Sequence, residues 1–148
     1  MNLHDLGWKE QRAAEACEVD ADLDPGRVLR RDRDQWQVAC EEGVRTVALA
    51  GRLRHELNEA HDLPTVGDWV LVRSDAGDPE GGHISAVLPR RGALVRQAAG
   101  RRSERQVVAA NVDLALIVAG LDGGRHLNRK RLERALALCR AGGVEAAV

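Results

Sequence analysis

Residues 26–53 read GRVLRRDRDQWQVACEEGVRTVALAGRL, and the punctuation of this stretch decides the fold class. Arg27–Arg31 and Trp36–Cys40 are short runs separated by the polar turn Asp32–Gln35, which predicts a hairpin. In the second run Trp36, Val38 and Cys40 alternate with Gln37 and Ala39, the period of a strand that buries one face. Glu42-Gly43 marks the next turn. Val44–Leu53 then places Val47, Leu49 and Leu53 on one face, with Gly51 where a strongly curved strand takes a bulge.

Working outward, Arg54–Thr65 is a longer connection, and Val66–Arg73 (VGDWVLVR) turns into a strand with Val70 and Val72 on a shared face. Ser74–Gly82 reads as a turn-rich loop. His83–Leu88 sets Ile84, Ala86 and Leu88 against Ser85 and Val87, and Pro89 ends it. Five strands with a long connection between the third and fourth predict a mainly β chain built on a five-stranded OB-type barrel. Upstream, Leu3, Leu6, Ala13 and Ala16 recur at helical spacing around Trp8, which predicts an N-terminal helical arm, followed by a polar linker at Asp20–Pro25.

The other end has a different grammar. Asn111–Gly120 (NVDLALIVAG) is one near-continuous apolar strand of the kind parallel sheets bury on both faces, and Asn128–Ala141 is an amphipathic helix. Asn128 suits the N-cap, Leu132, Ala135, Leu136 and Cys139 form the apolar stripe, and Gly142-Gly143 suits the C-terminal cap. A single βα step cannot cover such a strand, so residues 111–148 read as the start of an incomplete α/β domain. The domain plan is therefore an arm and linker at 1–25, the barrel at 26–96, a basic linker at 97–110 and the βα unit at 111–148.

Composition narrows the function classes. With 148 residues, 30% charged and 44% hydrophobic, the chain has the balance of a soluble globular protein. No apolar run is long enough to span a membrane, and the acidic start is no signal peptide, so a cytoplasmic protein is expected. Cys17, Cys40 and Cys139 are read as free thiols, and His4, His55, His61, His83 and His126 lack metal-ligand spacing, so no metal is assigned. No phosphate loop, dinucleotide fingerprint, paired metal-binding histidines or nucleophile elbow occurs, so no catalytic residue is assigned. Asp122-Gly123-Gly124 is read as the loop at a strand's carboxyl end, Asp113 as a local cap, and Glu56, Glu59 and Asp62 as surface charges.

Charge is the informative feature. The net charge is −1, yet residues 89–106 hold six arginines (Arg90, Arg91, Arg96, Arg101, Arg102 and Arg105) against one acid, Glu104. Such a patch suits phosphate, since guanidinium forks match its geometry. Arg30, Arg31 and Arg33 flank the first hairpin turn; they read either as phosphate contacts or as an ordinary charged turn interleaved with Asp32 and Asp34. There is no Phe or Tyr, and the three tryptophans fall in helix and strand cores. Base stacking is poorly supported, and backbone or shape recognition of folded RNA fits better.

Several motifs line up in order: Leu6-Gly7-Trp8, Pro25-Gly26-Arg27-Val28, Val66-Gly67-Asp68-Trp69-Val70, Leu88-Pro89-Arg90-Arg91, Gln106, Ala110-Asn111-Val112-Asp113 and Arg131-Leu132-Glu133-Arg134. This succession resembles the ribosome small-subunit-dependent, circularly permuted GTPases of the RsgA (YjeQ) type. The resemblance implies an OB domain, a GTPase domain and a zinc-binding domain, of which only the first is complete here as an N-terminal fragment. It also implies that the guanine-recognition, phosphate-loop and zinc residues lie beyond Val148, so this chain binds no cofactor while the full-length family uses GTP, Mg2+ and structural zinc. The implied role is GTP hydrolysis in late small-subunit maturation, with the small ribosomal subunit and its rRNA as partners, no membrane, and a full-length monomer. Two other readings stand beside it: a stand-alone OB-fold RNA-binding module without enzymatic activity, and a structural fragment that binds nothing tightly.

Overall fold

The computed structural model describes residues 2–57, 59, 61–75, 78–97, 105–120 and 128–148, without the side chains of 78–80 and 97. It divides into two compact units, Met1–Arg90 and Arg91–Val148.

In the first unit a 3₁₀ turn at Leu3–Leu6 and helix α1 (Glu10–Val19) precede strands β1 (Asp24–Asp32), β2 (Gln35–Cys40) and β3 (Gly43–Leu49). A short helix, α2 (Gly51–Glu56), leads through the long connection to β4 (Trp69–Asp75) and β5 (Asp78–Val87). The five strands close a barrel in the order β1-β2-β3-β5-β4, with β4 antiparallel to β1. β3 and β5 are parallel, paired at Ala48↔His83 and Leu49↔Ile84. A three-stranded meander, a helical crossing and a hairpin whose second strand returns parallel to the third make an OB-type barrel, as the strand count predicted.

The alternating residues fill it. Val28, Trp36, Val38, Cys40, Val47, Leu49, Val70, Val72 and Ile84 form one buried cluster, and Leu53 joins them from α2. Each large side chain so buried contributes about 1.5–3 kcal/mol relative to exposure. Trp36 satisfies its indole N–H on the Pro64 carbonyl at 2.8 Å, which ties the long connection to the barrel wall.

β4 is buried on both faces. Its outer residues Trp69 and Leu71 are covered by the N-terminal arm, whose Leu3 and Ala16 cluster with them and with Leu23 and Leu88. Trp8 packs on Trp69 with ring centroids 4.8 Å apart, and the Arg27 guanidinium lies 5.4 Å from the Trp69 ring centre. Arg27 also donates to the Leu6 carbonyl, and the buried Arg12 donates to Glu15 and to the Pro89 carbonyl. Predicted alternation in β4 thus gives way to continuous burial, because a second layer is laid over it.

Two local readings need correction. Gly51 is not a bulge: β3 stops at Leu49, Ala50 donates to the Ile84 carbonyl at 2.9 Å, and Gly51 opens α2. Leu49 and Leu53 share the core because four residues is also one helical turn. The expected loop at Ser74–Gly82 is shorter, since β4 and β5 continue to Asp75↔Asp78 through irregular register. Gly82 permits this, with φ +145° and a position where a Cβ would stand 2.6 Å from the Arg73 carbonyl oxygen.

The second unit holds an antiparallel pair, β6 (Ala93–Gln97) with β7 (Arg105–Ala110), so the stretch read as a basic linker at 97–110 includes a strand. β8 (Leu114–Leu116) pairs in parallel with β9 (Glu145–Ala147) across helix α3 (Arg129–Ala141), a βαβ step. The predicted N-cap is present: the Asn128 side chain accepts from the Arg131 amide at 3.1 Å. The apolar strand is narrower and barer than its sequence suggests, with Leu114 at 50%, Leu116 at 72% and Val118 at 93% exposure.

Two glycine substitutions separate these geometries in urea denaturation. Gly82→Ala is expected to cost about 1–3 kcal/mol through backbone strain and the carbonyl clash. Gly51→Ala is expected to be neutral or to stabilise by up to ~1 kcal/mol, as for a helical glycine in open space; marked destabilisation would restore the bulge.

Candidate nucleic-acid interface

The β1–β2 turn is tight. Asp32 pairs with Gln35, leaving Arg33 and Asp34 at the tip, and Arg33 takes a left-handed φ of 53°. Arg30, Arg31 and Arg33 are all exposed at this end of the barrel. Arg30 touches Asp32 at a loose 3.5 Å with both side chains mostly in water, a pair that contributes little. Arg31 lies over the Trp36 ring, 5.6 Å from its centre.

A residue that sequence reasoning missed changes the local balance. Arg54, on α2, reaches Asp34 at 2.8 Å. The turn therefore carries Arg30, Arg31, Arg33 and Arg54 against Asp32 and Asp34, and both acids already face a cation. No sequence signal announces Arg54, because its partner lies 20 residues away and only the fold unites them. Beside the turn, Arg30, Asp32, Gln35, Trp36, Gln37 and Thr46 line an open groove. Trp36 is 1% exposed, so its face is not offered to a base.

Arg90 leaves the candidate surface. Its Nε and one terminal nitrogen grip both oxygens of Asp68 at 2.8 and 2.7 Å, and it donates further to the carbonyls of His61 and Leu63 at 2.8 and 3.0 Å. Asp68 is fully buried and also accepts from the Thr65 amide at 2.8 Å. Four of the five guanidinium N–H groups are thus committed inside the protein. The basic run in the sequence mixed a structural arginine with surface ones.

The remaining arginines belong to the second unit. Arg91 is exposed, and its backbone amide donates to the Asn111 side chain at 3.1 Å. Arg96, also exposed, holds Gln106 at 3.1–3.2 Å across the β6–β7 pair, and Arg105 is exposed on β7. Arg101 and Arg102 lie outside the described residues.

Arg45 is a second buried arginine that the sequence did not single out. It points inward from β3, 4% exposed, and donates to Asp24 at 3.1 Å, Glu42 at 2.7 Å and Ser74 at 2.6 Å. Burial acts to lower its pKa, but the bond to Glu42, the neighbouring Cys40 and the bond to Asp24 outweigh it and the net direction is upward. The Cys40 thiol is pushed up, first by burial and then by Asp24 and Glu42, against the opposing field of Arg45. Among the described residues no group of three His, Cys, Asp or Glu side chains could hold a metal ion, and no helix is long and apolar enough to cross a membrane.

No family model matches the chain. It is 40% identical over 95% of its length to the small ribosomal subunit biogenesis GTPase RsgA of Opitutus terrae, of which it covers 40%. Among solved structures it is similar to YjeQ from Thermotoga maritima, with a TM-score of 0.57 and 24% identity over 83% of this chain and 39% of that one. It is also similar to YloQ, described as a circularly permuted GTPase, with a TM-score of 0.55 and 18% identity over 84% of this chain and 39% of that one. The two structures support the fold. The chain spans about two fifths of the length of the curated relatives it matches.

Arg90→Gln leaves the Asp68 carboxylate buried without its partner and is expected to cost about 3–5 kcal/mol in urea denaturation, whereas Arg31→Gln should cost less than ~1 kcal/mol. In native protein Cys40 is expected to resist alkylation by iodoacetamide while the exposed Cys17 reacts, read by peptide mass spectrometry. Because folding holds the Cys40 thiol neutral, its share of stability is intact below the ordinary thiol pKa and is lost as pH climbs from there toward the raised value.

Proposed function

Because the chain belongs to the family of small ribosomal subunit biogenesis GTPases named RsgA, we propose that its barrel binds rRNA of the small ribosomal subunit through the β1–β2 turn. The observation that carries this reading is the 40% identity over 95% of the chain. The GTP hydrolysis of the complete family protein, with its Mg2+ and zinc, belongs on this reading to residues other than these 148. The chain supplies an RNA grip, not the chemistry.

The geometry suits that task. The turn is the exposed end of a closed barrel, so the backbone positions from which its arginines extend are set by the strand pairing. Packing of Arg31 on the Trp36 ring orients a guanidinium before any ligand arrives, which lowers the entropy lost on binding. With Asp34 drawn to Arg54, Arg33 faces a phosphate with less opposing charge. Gln35, Gln37 and Thr46 in the adjoining groove offer neutral donors and acceptors suited to ribose hydroxyls. Trp36 and Trp69 are buried at 1% and 2% exposure, and the half-buried Trp8 is packed on Trp69, so this reading runs recognition through backbone and shape rather than stacking.

The test is co-sedimentation with small ribosomal subunits across a salt series. Replacing Arg30, Arg31 and Arg33 together by glutamine is expected to weaken association and to reduce the slope of log K against log salt by about 2–3. An unchanged slope would remove the turn from the interface. Titration of GTP into the same chain is expected to give no binding heat at micromolar concentrations, and a saturable signal would contradict the division of labour.

A further inference from the structure

Trp36 belongs to the barrel core, yet its ring also carries the exposed Arg31, 5.6 Å from the ring centre beside the β1–β2 turn. The indole N–H donates to the Pro64 carbonyl at 2.8 Å, a buried bond between residues 28 positions apart. Pro64 is itself fully buried. The backbone on either side of it is gripped by one ion pair: Arg90 donates to the Leu63 carbonyl at 3.0 Å, and the Thr65 amide donates to the Asp68 carboxylate at 2.8 Å. Arg90 and Asp68 meet each other at 2.7 and 2.8 Å. The oxygen that orients the ring is therefore clamped from both flanks.

Filling the core asks for an aromatic ring but not for an N–H aimed at one particular carbonyl. An indole turned away from Pro64 would leave a buried donor and a buried acceptor unpaired, so the bond fixes the ring's orientation. The guanidinium packed on the ring inherits that orientation. Arg30 is held differently, by a loose 3.5 Å contact with Asp32 in water.

We infer that Trp36 is a positioning residue for the turn: it holds Arg31 ready for a phosphate through a relay that runs from the Asp68–Arg90 pair by way of the Pro64 carbonyl. The inference rests on the reading of the turn as the RNA contact and adds a control on that contact from the buried side. Trp36 touches no RNA on this account. It acts on affinity through Arg31 and leaves the number of phosphate contacts unchanged.

Co-sedimentation of the full chain with small ribosomal subunits across a salt series separates orientation from charge. Arg31→Gln is expected to weaken association and to lower the salt slope by about 1. Trp36→Phe keeps every cation, so it is expected to weaken association several-fold at an unchanged slope, and to add nothing further in the Arg31→Gln background. Arg31→Lys keeps the charge but not the flat guanidinium, and it too is expected to weaken association at an unchanged slope. Being a surface change, it decides alone should Trp36→Phe fail to fold. Full additivity of Trp36→Phe with Arg31→Gln would overturn the proposal, because the tryptophan would then act on something other than Arg31. Binding equal to the parent's by Trp36→Phe or by Arg31→Lys would overturn it as well. If the turn variant lacking Arg30, Arg31 and Arg33 still weakens association in those cases, the reading of the turn as the RNA contact stands. If that variant also binds like the parent, both fall.

Discussion

The buried ion pair between Asp68 and Arg90 holds the barrel's end together. Asp68 sits in the turn before β4, and its backbone carbonyl accepts from Val28 of β1 while the adjacent Gly67 amide donates back to Val28. Its carboxylate takes the guanidinium that follows β5, and that guanidinium in turn fixes two carbonyls of the long connection after α2. One residue pair thus joins β1, β4, the chain leaving β5 and the long connection after α2. Removing both charges for apolar groups of like shape could leave stability unchanged, but removing one would not, because desolvated charge tolerates no vacancy. The pair specifies how the segments meet.

Legibility followed the physics of each signal. Turn residues between short runs located the five barrel strands, and period-two alternation marked the inner face of β2, β4 and β5, because a closed barrel has one inside and one outside and writes that difference into neighbouring residues. The same rule missed the outer burial of Trp69 and Leu71, since their cover comes from Leu3 and Ala16, far back in the chain. Gly51 misled because a four-residue spacing satisfies both a strand and a helix, and only the Ala50 bond to Ile84 decides between them. β6 and β7 were lost under their charge. A run of arginines reads as linker, yet Leu94, Val95 and Val107 supply enough strand character once they pair.

The arginines show the same division more sharply. Sequence treats Arg90 and Arg91 as equivalent neighbours, whereas one is sealed against Asp68 and the other faces solvent. Arg45 and Arg12, each under 5% exposed, were unremarkable in the sequence and turn out to be interior anchors. Arg54 is the reverse, a surface cation brought to the β1–β2 turn by a helix. Counting basic residues does not sort them. Only burial and buried pairing separate those that build the protein from those on its surface.

The seam between β3 and β5 carries a consequence for how the chain reaches this state. It consists of two residue pairs, Ala48↔His83 and Leu49↔Ile84, against six between β1 and β2. Its partners are also 35 residues apart, so closing the ring encloses a large loop for few bonds. The β1–β2–β3 meander needs only short-range contacts and can assemble early, while ring closure must wait for the hairpin of β4 and β5. The arginine turn is therefore expected to exist before the barrel does, and the slow event in folding is the sealing of the wall on its far side.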